Sequence, residues 1–419
     1  MTVAEMTVFE TLESNVRGYC RSWPTVFATA SGSWLRDEQG REYLDFFAGA
    51  GSLNYGHNNP ILKRALLEYI AGDGITHGLD MSTIAKRSLL EALRDLVLVP
   101  RQLDYKVQFP GPTGANAVEA ALKLARKITG RQTILNFTNA FHGMSLGALS
   151  VTGNAAKRAG AGVPLVHATP MPYDGYLGGD AELRWMRRAI DDSSSGLDKP
   201  AAVIVETVQG EGGVNVARAS WLRQLAELCS ARGILLIVDD IQMGCGRTGP
   251  FFSFEIAGIT PDIVTLSKSI GGYGLPMALV LFRPELDQWT PGEHNGTFRG
   301  NNAAFVTARV ALEQYWSDGA LESTTTIKGE RVRAALAELA SAHSGLSTRG
   351  RGLVHGLVFE DASRAAKVCR LAFERGLLVE TSGSEDEVIK LLPPLTISDD
   401  EIEHGLSVLA GAVGAIYAG

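Results

Sequence analysis

Residues 234–240 read ILLIVDD, residues 241–249 IQMGCGRTG and residues 261–274 PDIVTLSKSIGGYG. Ile234–Val238 is a run of branched apolar side chains that ends in Asp239 and Asp240. A continuous apolar run bounded by charge fits a strand buried on both faces, as in a parallel sheet. Pro261–Ser267 predicts a second such strand, and it ends at Lys268. An acid and a lysine therefore stand just past the carboxyl ends of two buried strands. In open α/β sheets that edge is where ligands bind. The spacing between them leaves room for one crossover and one further strand. The fold class is α/β, with a mostly parallel sheet flanked by helices.

Outward from this stretch, Trp221–Arg232 predicts the crossover helix leading to Asp239, and Ala201–Val205 a further buried strand ending at Glu206. That strand runs into ETVQGEGGVN, where Glu211 sits in a glycine-flanked turn and can reach into a pocket; by itself it would be a solvated turn acid. Tyr105–Phe109 predicts a short strand, after which GPTGANA at 111–117 opens the strongly helical run VEAALKLARKITG. Thr113, Gly114 and Ala115 would offer free backbone N–H groups at a helix N-terminus, a ready anion site. Alone, this is a helix capped by Thr113; beside a lysine at the sheet edge, it suits a phosphate. The pattern is not GxGxxG, so a dinucleotide is not indicated. Gln132–Phe137 predicts a strand that feeds AFHGMSLG at 140–147. Phe141 stands there where an aromatic could stack on a pyridine ring, and His142 would hold the loop. Ala155–Gly179 reads as loop and Leu183–Ile190 as helix. In the irregular loop Pro284–Asn302, Thr297 is the natural phosphate-binding hydroxyl.

Toward the N-terminus, Met1–Ala30 should hold a short helix and an extended segment. Ser31–Phe47 predicts a hairpin turning at Glu38–Gly40. AGAGSLNYGHNNP at 48–60 is too rich in glycine for a regular element. It is either an ordinary connection or a loop that lets backbone approach a ligand closely. Ile61–Gly72 and Thr83–Val97 predict amphipathic helices, with His77 as a loop histidine between them. Toward the C-terminus, Ala303–Asp318 and Thr325–Ala342 read as helices and Gly345–Phe359 as strands of a small sheet. Ser363–Arg375 follows as a helix, with Leu377–Glu380 and Val388–Leu392 as strands. Asp399–Ala415 is a closing helix with Ser398 as N-cap and Glu401 as the capping-box acid.

A chain of 419 residues that is 45% apolar can bury a core for two domains. With 39 basic and 46 acidic residues the net charge is −7, and no basic stripe appears, so a nucleic-acid partner is not expected. The longest apolar runs, such as Pro276–Phe282, are far too short to span a bilayer. Residues 1–14 carry acids and lack a basic-then-apolar pattern, so no secretory signal is expected. Cys20, Cys229, Cys245 and Cys369 are widely spaced, without CxxC or Cys/His ligand spacing. They read as free thiols in a reducing cytoplasm, and no metal site is expected.

The chemistry that uses a lysine, an acid and a phosphate cradle together is that of pyridoxal phosphate. A lysine amine forms a Schiff base with the cofactor aldehyde. A carboxylate at the pyridinium nitrogen keeps the ring protonated as an electron sink. Singly, Asp239 could be a helix N-cap acid and Lys268 a solvated lysine. Together, VDDIQMGCGRTG and SKSIGGYGLPMA closely resemble the cofactor-lysine region of class III (ω-amino acid) aminotransferases. The resemblance extends over nearly the whole chain, from WLRDEQGREYLDFFAGAGSLNYGH to IKLLPPLTIS.

The resemblance implies the fold type I of pyridoxal phosphate-dependent transferases. Residues 1–60 would be the N-terminal segment of a small α+β domain, 61–302 the large cofactor-binding domain, and 303–419 the C-terminal part of the small domain, with 303–320 as linking helix. It implies that Lys268 is the Schiff-base lysine and Asp239 the pyridinium partner, with Gln242 near the phenolic oxygen. Ile241 and Phe141 would cover the two ring faces, His142 and Glu206 would belong to the cofactor site, and Thr113, Gly114 and Ala115 would form the phosphate loop. Thr297 would reach the phosphate of a neighbouring subunit, so a homodimer, or a larger assembly of dimers, is implied. Glu211 would be a gate that pairs with a basic residue or releases it as substrates alternate.

Three positions depart from the family pattern. Met144 stands where many members have an arginine for a distal carboxylate, which argues against 4-aminobutyrate as donor. Lys390 stands where many have an arginine for the α-carboxylate of glutamate; a lysine is a point charge and cannot form the bidentate pair. Asn116 replaces an acid common in the phosphate loop. With these departures, blocks such as FHGMSLG, VETVQGEGGVNVA and GEHNGTFRGNN are similar to one branch of the family. That branch implies transfer of glutamate's amino group to L-aspartate 4-semialdehyde, giving L-2,4-diaminobutyrate and 2-oxoglutarate at the first step of ectoine synthesis. The alternatives are another ω-aminotransferase, acting on ornithine or a further diamine, and an aminomutase on the same fold, which needs no external 2-oxo acid.

Overall fold

Two strands buried at every position, Leu235–Asp239 and Ile263–Leu266, lie at the centre of a seven-stranded sheet in the computed structural model, which describes residues 7–179 and 181–418. Met1–Met6, part of the stretch expected to lack a secretory signal, lie outside the described residues. Across the sheet the order is Lys106–Gln108, Leu279–Phe282, Ile263–Leu266, Leu235–Asp239, Ala202–Val205, Ile134–Phe137 and Ala168–Met171. Neighbours from Ile263–Leu266 to Ala168–Met171 run parallel, and Leu279–Phe282 runs antiparallel to both strands beside it. Parallel strands are covered by helices on both faces, which is why their sequences are unbroken apolar runs. The central strand includes Asp239 as its last residue, one position further than the apolar run alone indicates.

Two strands of this sheet differ from the sequence expectation. Pro276–Phe282, read only as an apolar run too short to span a bilayer, carries the strand Leu279–Phe282; such a short run alone cannot be told from a buried helix segment. Ala155–Gly179, expected as loop, contains the short helix Ala155–Ala159 and the edge strand Ala168–Met171. The edge strand, ATPM, is only partly buried and includes a proline, so it lacks the apolar run that marks its neighbours. Elsewhere the differences are at element ends. The helix expected at Thr83–Val97 is α-helical over Ile84–Leu93 and continues as a π-helical turn over Arg94–Leu98. The helix expected at Thr325–Ala342 starts earlier, as Ala320–Ser341, because packing overrides the poor helix propensity of STTT.

Helix Gly114–Thr129 packs against the sheet through Ala117, Ala120, Ala121 and Ala125, with Val118, Leu122 and Leu124 buried beside them. Small side chains let it lie close to the strands. Thr113 caps its start and Gly130, with φ 66°, ends it. Helix Ala219–Arg232 crosses back to Leu235–Asp239.

The two ends of the chain meet in a second sheet. Phe27–Ser31, Trp34–Asp37 and Glu42–Asp45 form an antiparallel set, and Leu377–Leu378 pairs in parallel with the last of them. Helix Asp399–Ala418 is fastened to the same region. Ser398 and Glu401 form the reciprocal capping pair, at 2.8 and 3.2 Å, and Glu401 also accepts a 2.7 Å hydrogen bond from the Trp34 indole. A third sheet, in the order Leu346–Arg351, Val354–Phe359, Val388–Leu391 and Glu380–Ser382, is antiparallel throughout. The small ribbon of Val208–Gln209 with Asn215–Val216 carries Glu211 in its turn. No helix among the described residues is long and apolar enough to cross a membrane, and the four cysteines are free.

Candidate active site

The carboxyl edge of the large sheet opens into a cavity of about 200 Å³. Gly114, Ala115, Phe141, His142, Glu206, Glu211, Asp239, Ile241, Gln242 and Lys268 line it. Every sequence-predicted site residue is there except Thr113, Thr297 and Lys390.

Lys268 follows strand Ile263–Leu266 and has φ +55°, an uncommon conformation for a residue with a side chain. Its ammonium donates a 2.9 Å hydrogen bond to the carbonyl of Ala50. Ala50 lies in the glycine-rich segment whose role the sequence left open, and Ala48, Gly49, Ala50 and Gly51 all have positive φ. That tight coil aims the Ala50 carbonyl at two donors, Lys268 and the Gln242 amide at 3.0 Å. The Ser269 hydroxyl, 2.8 Å from the carbonyl of Gly51, fixes the coil against the lysine turn. Burial lowers the pKa of Lys268 below the ordinary lysine value.

Asp239 is 4% exposed and its Oδ2 lies 2.6 Å from His142 Nδ1. Its Oδ1 accepts from the Ile241 amide and the Thr265 hydroxyl, each at 3.2 Å. Burial works against a charged His142 imidazole, but the Asp239 carboxylate outweighs it and raises the histidine pKa. Glu206 accepts a 3.0 Å hydrogen bond from the Phe141 amide. Burial, with Asp239 nearby, pushes the Glu206 carboxyl up to about 8, although His142 pulls the other way. Burial thus favours the protonated form of Glu206 well above the ordinary carboxylate range.

At the start of helix Gly114–Thr129, the hydroxyl and amide of Thr113 are both engaged by Asn116, at 2.9 and 3.2 Å. Thr113, expected in the phosphate loop, here serves as the cap, and Asn116 completes the capping box in place of an acid. Gly114 and Ala115 remain as the first helical residues, whose N–H groups have no acceptor within the helix. Gly114 also lies close to Ile241: a Cβ added there would sit 3.1 Å from its side chain.

Glu211 holds the far wall. Its Oε1 accepts from Gln242 at 3.1 Å and pairs with Lys390 Nζ at 2.6 Å. Lys390 is fully buried behind Glu211 rather than on the cavity surface. Burial opposes ionisation of Glu211, but Lys390 and Lys268 outweigh it and pull the carboxyl down to about 2. Thr297 is exposed on the turn Thr297–Arg299 and does not line this cavity.

Three contributors were not foreseen. The Ala50 carbonyl reaches Lys268 across 218 residues of chain, a contact with no local sequence signal. Glu380 lies 3.0 Å from Lys390, and Tyr19 lines a second pocket that adjoins Glu211 and Glu380. Burial and the two glutamates push the Tyr19 hydroxyl up to about 12.

A buried aspartate at 2.6 Å from a histidine, a lysine on the next strand, a free helix N-terminus and a flanking aromatic make a donor set that suits pyridoxal phosphate. The fold and this site together define a pyridoxal phosphate-dependent enzyme. The sequence matches the family model described as aminotransferase class-III over residues 19–413, and the chain belongs to that family. It is 76% identical, over 100% of its length and 96% of the relative's, to a diaminobutyrate–2-oxoglutarate transaminase of Nocardia farcinica. To the protein of the same name from Streptomyces anulatus it is 66% identical, over 99% of each chain. Among solved structures it is similar to the ornithine aminotransferase of Toxoplasma gondii, with TM-score 0.85 and 26% identity, over 99% of this chain and 94% of that one.

Proposed function

We propose that this enzyme transfers the amino group of L-glutamate to L-aspartate 4-semialdehyde, giving L-2,4-diaminobutyrate and 2-oxoglutarate, as the entry step of ectoine synthesis in the cytoplasm. The observation that carries this reading is the full-length similarity to diaminobutyrate–2-oxoglutarate transaminases. Met144 and Lys390, in place of two arginines, agree with a substrate pair other than that of 4-aminobutyrate enzymes.

Bound pyridoxal phosphate would supply an aldehyde that takes up the amino group and a protonated ring that stabilises charge at the neighbouring carbon. The N–H groups of Gly114 and Ala115 would hold its phosphate. Phe141 and Ile241 would cover the ring, and Gln242 would approach its phenolic oxygen. Asp239 would hold the proton on the ring nitrogen, with His142 fixing the orientation of the carboxylate. Lys268 Nζ would take the proton from the substrate carbon and deliver it to the cofactor carbon, a task suited to an amine whose pKa burial has lowered. Glu206, whose protonated form burial favours, would donate a hydrogen bond within the site. Glu211 and Lys390 would form the gate: paired when the reacting group is a terminal amine, parted when glutamate brings an α-carboxylate. Residues 1–60 and 303–419 would act as one small domain over the large one, 61–302. Thr297 would complete the phosphate site of a partner subunit, which makes the working unit a homodimer.

The test is the absorption spectrum of the purified holoenzyme. Glutamate alone should bleach the cofactor band. Aspartate 4-semialdehyde should restore it, while glutamate semialdehyde and succinate semialdehyde should not. Restoration by glutamate semialdehyde instead would replace this reading with that of an ornithine-type enzyme. Lys268→Ala should lose at least about 1,000-fold in turnover and keep the wild-type far-UV spectrum.

A further inference from the structure

Lys390 has two carboxylates. Glu211 Oε1 is 2.6 Å from its ammonium and Glu380 Oε1 is 3.0 Å away, and the lysine side chain is fully buried. The two acids reach it from different elements. Glu380 is directly across from Lys390 in the antiparallel pair of Glu380–Ser382 with Val388–Leu391, so the sheet itself holds these two together. Glu211 comes from the turn of the Val208–Gln209 ribbon, tethered to that sheet by the hydrogen bond from the Gly383 amide to its carbonyl, at 3.1 Å. One partner is therefore built into a strand and the other into a turn. Among the described residues, Lys390 is the only ion-pair partner of Glu380.

We propose that Glu380 is a positioning residue that keeps the buried Lys390 ammonium paired whenever Glu211 leaves it, so that one pocket can admit glutamate and a terminal amine in turn. This rests on the reading of Glu211 as the gate. A buried charge stripped of its only partner is strongly destabilising. A gate of one acid and one lysine would have to pass through that state before the substrate carboxylate arrives. With Glu380 fixed opposite Lys390, the ammonium stays charged and in place while Glu211 swings into the second pocket, which it lines with Tyr19. A lysine suits this arrangement: its ammonium is a point charge with three donors and can face two carboxylates from different directions.

The experiment has two readouts on holoenzyme. The first is stability without turnover, in a double-mutant cycle of Glu211→Gln and Glu380→Gln. Each single variant leaves Lys390 one carboxylate and the double variant leaves none, so the loss of melting temperature in the double variant should exceed the sum of the two single losses. The second is the ratio of the single-turnover rate constants for bleaching by glutamate and by diaminobutyrate. In Glu380→Gln this ratio should fall by at least about fivefold, because the glutamate half-reaction requires the gate to part. If Glu380→Gln does not fold, Glu380→Asp, which withdraws the charge by one methylene, should move the ratio the same way. An additive cycle, or equal slowing of both half-reactions, would overturn the proposal. Failure of wild-type enzyme to be bleached by diaminobutyrate would instead count against the substrate assignment, and the stability cycle would still stand as a test of Glu380.

Discussion

Glu206 shows how burial shifts the titration of an acid in this cavity. Asp239 has the His142 ring nitrogen at 2.6 Å, whereas the Glu206 carboxyl accepts a hydrogen bond from the Phe141 amide and the attraction of His142 is outweighed by burial. Asp239→Asn removes the charge that raises His142, so the histidine pKa should fall, as followed by NMR of the imidazole, and turnover should drop by at least about 100-fold. For Glu206 the sign is set by a folded pKa of about 8 against an ordinary value of 4.5. A group whose folded pKa is raised contributes stability that is complete below the unfolded value and is lost as pH rises through the folded one. The melting temperature of the wild type should therefore decline through this group between about pH 4.5 and pH 8. Glu206→Gln should remove that part of the decline, so the difference between the two melting curves should change sign or shrink across the window. A constant difference from pH 5 to pH 9 would mean that Glu206 is ionised throughout.

At the scale of elements, the site depends on turns meeting with no room between them. Gly210, at the turn that carries Glu211, lies so close to Gln242 that a Cβ there would fall 1.7 Å from its amide oxygen. Gly210→Ala must displace Gln242 and with it the link to Ala50. Cofactor affinity should weaken by about tenfold or more, the ordinary result of disturbing a supporting contact, with unchanged helix content. Fluorescence titration with pyridoxal phosphate measures it. The loop after Asp239 is fixed in a comparable way by Arg247, which is fully buried and donates to the carbonyl of Leu353 at 2.9 Å and to Asn54 at 2.6 Å. Burial lowers its pKa to about 9, a sign of how much desolvation those acceptors have to offset. Such contacts join the N-terminal loop, the lysine turn and the C-terminal sheet around one cavity.

For the whole molecule, the surface around Thr297 bears on assembly. Phe298 is 67% exposed and its ring meets His77 edge-on at 5.3 Å; Leu79, Met81 and Ile84, in the segment that follows His77, are exposed as well. Exposed apolar side chains here suit an interaction surface, as the proposed homodimer, which would bring Thr297 to a partner's site, requires. Phe298→Glu should shift the protein toward monomer in sedimentation velocity and release cofactor in parallel; a dimer that persists with full cofactor would place the interface elsewhere. Much of this molecule was legible in its sequence. Buried parallel strands announce themselves as unbroken apolar runs, and the residues at their carboxyl ends, Glu206, Asp239 and Lys268, follow by position. Helix Gly114–Thr129 is readable from its cap and its period. The strands Ala168–Met171 and Leu279–Phe282 were not, because one is a half-buried edge with a proline and the other lies in an apolar run whose pattern alone cannot tell strand from buried helix. What only the tertiary structure decided is pairing at long range. The Ala50 carbonyl on Lys268 and Glu380 opposite Lys390 depend on loop closure and strand register. Register depends on which strands meet, and that information is spread over the whole chain rather than held in any one stretch of it.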